Sequence, residues 1–124
     1  MPREGVPDWY VEYLRRRYRL FLKYTRRWRR WARRIAEVVR ERVDPEAEVI
    51  VFGSVVKGKA TGGSDVDVLI VTERARELKP HEVREIVERE LGLPEDHPFE
   101  LHLATPGEFE TRWRRFLDAY ERVA

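Results

Sequence analysis

Two aspartates separated by a single residue, Asp65 and Asp67, open an apolar run that reaches Val71. Ahead of them, across ten intervening residues, Gly53-Ser54 closes another apolar run that begins at Val49. Side chains of an extended strand alternate faces, so Asp65 and Asp67 are expected to point the same way. Neighbouring carboxylates repel each other unless a cation sits between them. Magnesium takes hard oxygen ligands and commonly bridges one or two carboxylates to substrate phosphates. A Gly-Ser turn brought to the same edge offers backbone N–H groups to a phosphate tail. Gly53 permits close backbone approach, and the Ser54 hydroxyl adds a donor. Together these residues have the chemistry of a metal-dependent nucleotide site, with Asp65 and Asp67 as ligands of magnesium, two ions once a nucleotide is present. Lys57 and Lys59 lie between the two elements and are placed to meet a triphosphate, although a loop lysine is more often simply solvated. Ser64 caps the turn before Asp65 and joins Gly53, Ser54 and Lys57 as a nucleotide-binding residue, while Thr61, Gly62 and Gly63 give that loop mobility. The plainer reading is a strand-ending Gly-Ser turn and a pair of loop aspartates. Aspartate is depleted inside strands, and two on one face near a core need compensation, which favours a metal.

The positions Gly53, Ser54, Ser64, Asp65 and Asp67 resemble the motif of the nucleotidyltransferase superfamily of DNA polymerase beta. More narrowly they resemble the minimal nucleotidyltransferases, small single-domain proteins often paired with HEPN-domain proteins. The segment Pro98-Phe99-Glu100-Leu101-His102-Leu103-Ala104-Thr105-Pro106 is similar to that family's third-carboxylate strand, so the likeness spans residues 49–116. It implies an α+β fold with a polymerase-beta-like core, and Glu100 as the third catalytic and metal-binding carboxylate beside Asp65 and Asp67. Related enzymes usually carry Asp there, and Glu reaches one methylene farther. The resemblance further implies ATP or another nucleoside triphosphate as donor and a hydroxyl acceptor. The expected acceptor is a tyrosine of a cognate HEPN toxin, which would make the chain the antitoxin of a toxin–antitoxin pair. A non-catalytic partner-binding module is one alternative. A small-molecule nucleotidyltransferase of the aminoglycoside-modifying kind is another, for which 124 residues leave little space. His102 shares the expected face of Glu100 and is a candidate ligand or proton relay, though a lone strand histidine is more often a satisfied polar neighbour.

The elements that must position these residues can be read from periodicity. From Asp8 to Val43 neither Gly nor Pro intervenes, and apolar or small residues recur at Val11, Leu14, Tyr18, Phe21, Thr25, Trp28, Ala32, Ile35 and Val39. Alternating steps of three and four mark an amphipathic helix. The spacing predicts a helix over 8–43, with Asp8 as its N-cap, or a helix pair broken near Thr25; the half from Trp28 on packs on the sheet and the first half projects or bends back. Residues 48–105 form the core, with strands over 48–52, 65–72 and 99–105. The second strand is apolar on both faces after its carboxylates and should be central. Lys79-Pro80 begins a helix that ends at Leu91, capped by Gly92. A last helix is expected over 107–123, with Phe109, Trp113, Phe116, Leu117 and Tyr120 inward. The expectation is therefore one α+β domain over 1–124: a small mixed three-stranded sheet, its first two strands antiparallel, with helices mainly on one face and a long basic N-terminal helix.

Composition bounds the remainder. There is no Cys, so disulfides and thiolate metal sites are excluded. No apolar run approaches the roughly 20 residues of a bilayer-spanning helix, and no signal-peptide core is present, so a soluble cytoplasmic protein is expected. Charged residues make up 39% of the chain, with no Asn or Gln and a single Met, the compositional habit of thermophile proteins. Residues 1–42 hold 14 Lys/Arg against 5 Asp/Glu, a net +9, and residues 43–124 carry −7. Such polarity points to a partner: a HEPN-type protein, a second copy docked through the N-terminal helix, or nucleic acid, for which no binding motif is visible. The arginines can equally be the wet face of an amphipathic helix.

Overall fold

The computed structural model describes residues 5–124. Helices α1 (Asp8–Leu20) and α2 (Trp28–Arg42) are joined by a π-helical turn, Phe21–Thr25. Strand β1 (Glu48–Phe52) leads through the 53–65 loop to β2 (Val66–Val71). A 3₁₀ turn, Glu73–Arg76, and helix α3 (Pro80–Leu91) cross back to β3 (Phe99–Ala104). The chain then runs through α4 (Pro106–Glu108), a π turn (Phe109–Trp113) and α5 (Arg114–Phe116) into β4 (Tyr120–Arg122).

The sheet has four strands in the order β3-β2-β1-β4. β1 is antiparallel to both β2 and β4, as expected for the first pair, and β2 runs parallel to β3. The apolar second strand is central: Val66, Val68, Leu69 and Ile70 are fully buried. One sheet face, with Val49, Val51, Val66, Val68, Ile70, Phe99 and Leu101, packs against Ala32, Ile35 and Val39 of α2 and Val83 and Val87 of α3. The other face, with Ile50, Leu69, Val71 and Ala104, is covered by Phe109, Trp113 and Leu117. Burying each large aliphatic side chain contributes roughly 1.5–3 kcal/mol, so this two-sided core dominates the stability of the fold.

The expected three-stranded sheet is corrected to four strands, because the predicted helix over 107–123 stops at Phe116. Leu117 adopts an extended conformation (φ −90°, ψ 103°), and the chain turns to pair with the open edge of β1. Val49 and the chain end exchange further bonds, Val49 N–H to Ala124 O (3.0 Å) and Val123 N–H to Val49 O (2.9 Å). An unpaired sheet edge is satisfied this way, and nothing local in residues 117–123 announces it. The same segment puts short helical turns on the second face, while the long helices α2 and α3 pack on the first, so the helices lie mainly on one side as expected. Asp8 is the first helical residue of α1 and makes no side-chain cap; Pro7 occupies the N-cap.

The N-terminal helical region is a pair, and the π turn explains its packing. Arg26 N–H bonds Phe21 O (2.8 Å), a step of five residues that adds one residue to a turn. Trp31 Nε1–H then bonds the Lys23 carbonyl (3.0 Å). The insertion rotates α1 out of phase with α2. Trp28, Ala32, Ile35 and Val39 are buried as the periodicity predicts, whereas Leu14 and Tyr18 are exposed and Leu20 and Tyr24 are buried in their place. α1 is tied down through Arg16, whose guanidinium donates two bonds to the Asp96 carboxylate (2.6 and 2.7 Å).

Beside that anchor, His97 fixes the start of β3. Its Nδ1 accepts from Phe99 N–H (3.0 Å), so Nε2 carries the proton and donates to Glu88 on α3 (2.6 Å). Burial holds the imidazole below its ordinary value of 6.5, outweighing the Glu88 carboxylate. The unfolded chain therefore takes up a proton that the folded chain resists, and stability present above about pH 6.5 is lost as pH falls toward the lowered folded value. The melting temperature followed by circular dichroism should drop by several degrees between pH 7.5 and 5.5. In His97→Asn, whose amide oxygen can still accept from Phe99 N–H but does not titrate, the profile over that interval should be flatter.

Candidate functional site

The site is built on one rung of the sheet. Register pairs Glu100 with Asp67, Asp67 with Phe52, and Phe52 with Tyr120. Cross-strand partners point to the same face, so two carboxylates and two aromatic rings form a row across all four strands. It lies toward the end of the sheet where β1 stops and β2 and β3 start, which is where the Gly53-Ser54 turn leaves β1.

Gly53 has φ +91°, a backbone conformation that side chains rarely adopt. A Cβ placed there would lie 2.9 Å from Asp67 Oδ2. The Gly53 backbone thus abuts the carboxylate, and any side chain would displace it. After Gly53 the chain curls tightly: Val56 N–H bonds Gly53 O (3.2 Å) and Lys59 N–H bonds Ser54 O (2.9 Å).

Asp67, Glu100 and His102 converge, with one potential ligand atom from each lying within 4.8 Å of the others. Ligands of an octahedral magnesium ion at its usual 2.0–2.1 Å stand roughly 2.9 Å apart when adjacent and roughly 4.2 Å when opposed, so the three must draw closer together to share one cation. Two carboxylates suit a hard divalent ion; the imidazole nitrogen is a softer third donor. His102 Nε2 lies 3.2 Å from Asp67 Oδ1, and its ring packs 5.5 Å from Phe52 and 5.6 Å from Trp113, centroid to centroid. The aromatic wall holds the imidazole over the carboxylate.

Of the predicted residues, Asp67 and Glu100 meet here, beside Gly53. Asp65 stands one residue before β2, exposed, and is not among the three converging groups. Ser54 occupies the turn after Gly53. Lys57 Nζ pairs with Asp118 Oδ2 (2.8 Å) and holds that carboxyl below the usual range. Ser64 Oγ accepts from Thr61 N–H (2.8 Å) and so closes the 61–64 loop. His102 belongs to the group more firmly than a lone strand histidine suggests; the signal available in the sequence was its two-residue spacing from Glu100. Phe52 and Trp113 read in sequence as core residues, because nothing local separates a core aromatic from one that borders a site.

The chain is similar to known proteins in both sequence and fold. The family model described as the nucleotidyltransferase domain matches residues 32–121. A crystal structure described as a candidate nucleotidyltransferase is 33% identical, with a TM-score of 0.52, over 72% of this chain and 92% of that one. Another, from Sulfolobus solfataricus and described the same way, is 20% identical with a TM-score of 0.55, over 83% of this chain and 85% of that one, and shares the fold. No curated protein matches the chain.

Because Gly53 touches Asp67, Gly53→Ala should combine backbone strain of about 1–2 kcal/mol with a displaced carboxylate. Urea denaturation should show that loss of stability. Manganese titration, used as a spectroscopic stand-in for magnesium, should show affinity at least tenfold weaker than that of the unaltered chain. Asp67→Asn should lose the cation while keeping its thermal stability within about 1 kcal/mol.

Proposed function

The chain belongs to the nucleotidyltransferase-domain family, and from that premise we propose that it moves a nucleoside monophosphate, AMP from ATP, to a hydroxyl group with magnesium. The observation that carries this reading is the convergence of Asp67, Glu100 and His102 against the Gly53 backbone. Asp67 and Glu100 would hold the cation, and Asp65, exposed one residue before β2, joins them by rotation of its side chain. When bound, magnesium supplies Lewis acidity at the α-phosphate and neutralises the leaving pyrophosphate.

The chain's own residues do the rest. The Gly53-Ser54 turn presents backbone N–H groups and a hydroxyl to the phosphates, and Ser64 adds a further hydroxyl. Lys57 exchanges Asp118 for the triphosphate. Glu100, exposed at the far end of the row, takes the proton of the acceptor hydroxyl. A bond forms between the acceptor oxygen and the α-phosphorus, the bond from that phosphorus to the bridging oxygen breaks, and pyrophosphate leaves. The packed aromatic wall of Phe52 and Trp113 keeps water from one side of the reacting group.

The acceptor proposed is a tyrosine of a HEPN-type partner, with the chain acting as the antitoxin of the pair; the resemblance in the motif supports this. The surface proposed for docking is α1, where Trp9 is 71% and Tyr18 58% exposed beside Tyr10, Tyr13 and Leu14. Aromatics interleaved with arginines are the residue types of interface hot spots. That exposed face also favours a second reading, in which the chain silences its partner by docking alone. No helix among the described residues is long and apolar enough to cross a membrane, and the intracellular setting of such a pair remains part of the proposal.

Incubation with α-labelled ATP, magnesium and the product of the adjacent reading frame should label that protein. Asp67→Ala should lower the rate by roughly 10²-fold or more, and Asp65→Ala by a comparable factor. Partner silencing that persists at full strength in Asp67→Ala would favour docking alone.

A further inference from the structure

The rung that carries Glu100 and Asp67 does not end at the carboxylates. It continues one strand over to Phe52 and two strands over to Tyr120. Strands lie about 4.8 Å apart, so the row passes from anionic to aromatic within roughly 10 Å. Directly beside its aromatic half is a cavity of about 560 Å³, lined by Phe52, Gly53, Arg112, Trp113, Phe116 and Asp118 among others. That volume lies in the range of small-ligand sites.

Three features separate this cavity from a packing defect. It shares Gly53, the residue pressed against Asp67, so whatever fills it is continuous with the acidic group. Phe52 and Trp113 pack at 5.7 Å with their rings inclined by 63°, which leaves ring faces to line the cavity. Phe116, which also lines it, is 81% exposed and offers a phenyl face on which a flat partner can stack. Asp118 and Arg112 add an acceptor and a donor at the rim, the groups needed to meet the hydrogen-bonding edge of a heterocycle.

We propose that this cavity is the base-binding subsite: the nucleotide's base stacks between Trp113 and Phe116 while its phosphates lie on the Gly53-Ser54 turn. The inference rests on the nucleotidyl-transfer reading above and adds where, and by which side chains, the donor nucleotide is held. The ligand it fits is amphiphilic in the same sense as the rung, anionic at one end and flat and aromatic at the other. Base–aromatic stacking contributes roughly 1–3 kcal/mol per base, a 5- to 150-fold gain in affinity. The side chains responsible come from the C-terminal segment that bends away before β4.

Calorimetry with two probes in magnesium buffer tests it: ATP, and inorganic tripolyphosphate, which has the anionic end without the base. The unaltered chain should bind ATP roughly 5- to 150-fold more tightly than tripolyphosphate. In Trp113→Ala that ratio should collapse toward one. Because Trp113 also touches the core, Phe116→Ala serves as the second variant. Its side chain is solvent-exposed, so the fold should survive, and the ratio should fall at least threefold. An ATP advantage that persists in both variants, or equal binding of the two probes by the unaltered chain, overturns the subsite and leaves the phosphate and metal site standing. Failure of both probes to bind the unaltered chain overturns the nucleotidyl-transfer reading, and the subsite with it.

Discussion

Two carboxylates facing each other across adjacent parallel strands are electrostatically unfavourable, and the structure is arranged around holding them there. Asp67 and Glu100 are register partners, so no side-chain rotation alone separates them by much. Their repulsion is tolerable because both sit toward one end of the sheet, half-buried and exposed respectively, where water or a cation can reach them. What prevents the strands from slipping to relieve it is the core. Val66, Val68 and Ile70 of β2 are fully buried on one face and Leu69 on the other. A shift of one residue would turn every one of them to the wrong side. The hydrophobic core therefore fixes the register, and the register fixes the acids.

The same logic runs outward from the site. Parallel pairing of β2 and β3 requires a crossover, which α3 supplies, and α3 meets β3 through the Glu88–His97 contact. His97 receives Phe99 N–H, so the first residue of β3 is set by a buried imidazole two residues before Glu100's strand neighbour. On the other side β1 must end at the acids without crowding them. Gly53 makes this compatible with an abrupt turn, since its missing side chain is the space that the Asp67 carboxylate occupies. Stability and function share these residues, and changes at Gly53 or His97 act on both.

Much of this was legible in the chain because it rests on local chemistry. Apolar runs identified β1 and β2; Pro80 and Gly92 bracketed α3; and the burial of β2 on both faces followed from its unbroken apolar run. The spacing of Gly53-Ser54 to Asp67 put those residues on neighbouring strand ends. Two features escaped for physical reasons. A π turn adds one residue without any distinctive composition, so the seam through Leu14 and Tyr18 looked continuous with Trp28 and Ala32, and only packing reveals the phase shift. The segment 117–123 has helical spacing of apolar residues, and its conversion to β4 depends on an edge of β1 that lies some seventy residues earlier.

The sequence by itself determined the chemistry on offer: acids two residues apart, a glycine where backbone must come close, a histidine in step with a glutamate, and aromatics near the C-terminus. Those follow from side-chain type and short-range periodicity, which the chain carries whatever its fold. Tertiary structure alone decided which of them meet. It joined Asp67 to Glu100 and His102 while leaving Asp65 outside the group, tied Lys57 to Asp118, and set Phe52 and Trp113 against His102. Such pairings depend on strand order and on the pairing of a distant edge, and these are settled by burying apolar surface over the whole chain rather than by any local run of residues.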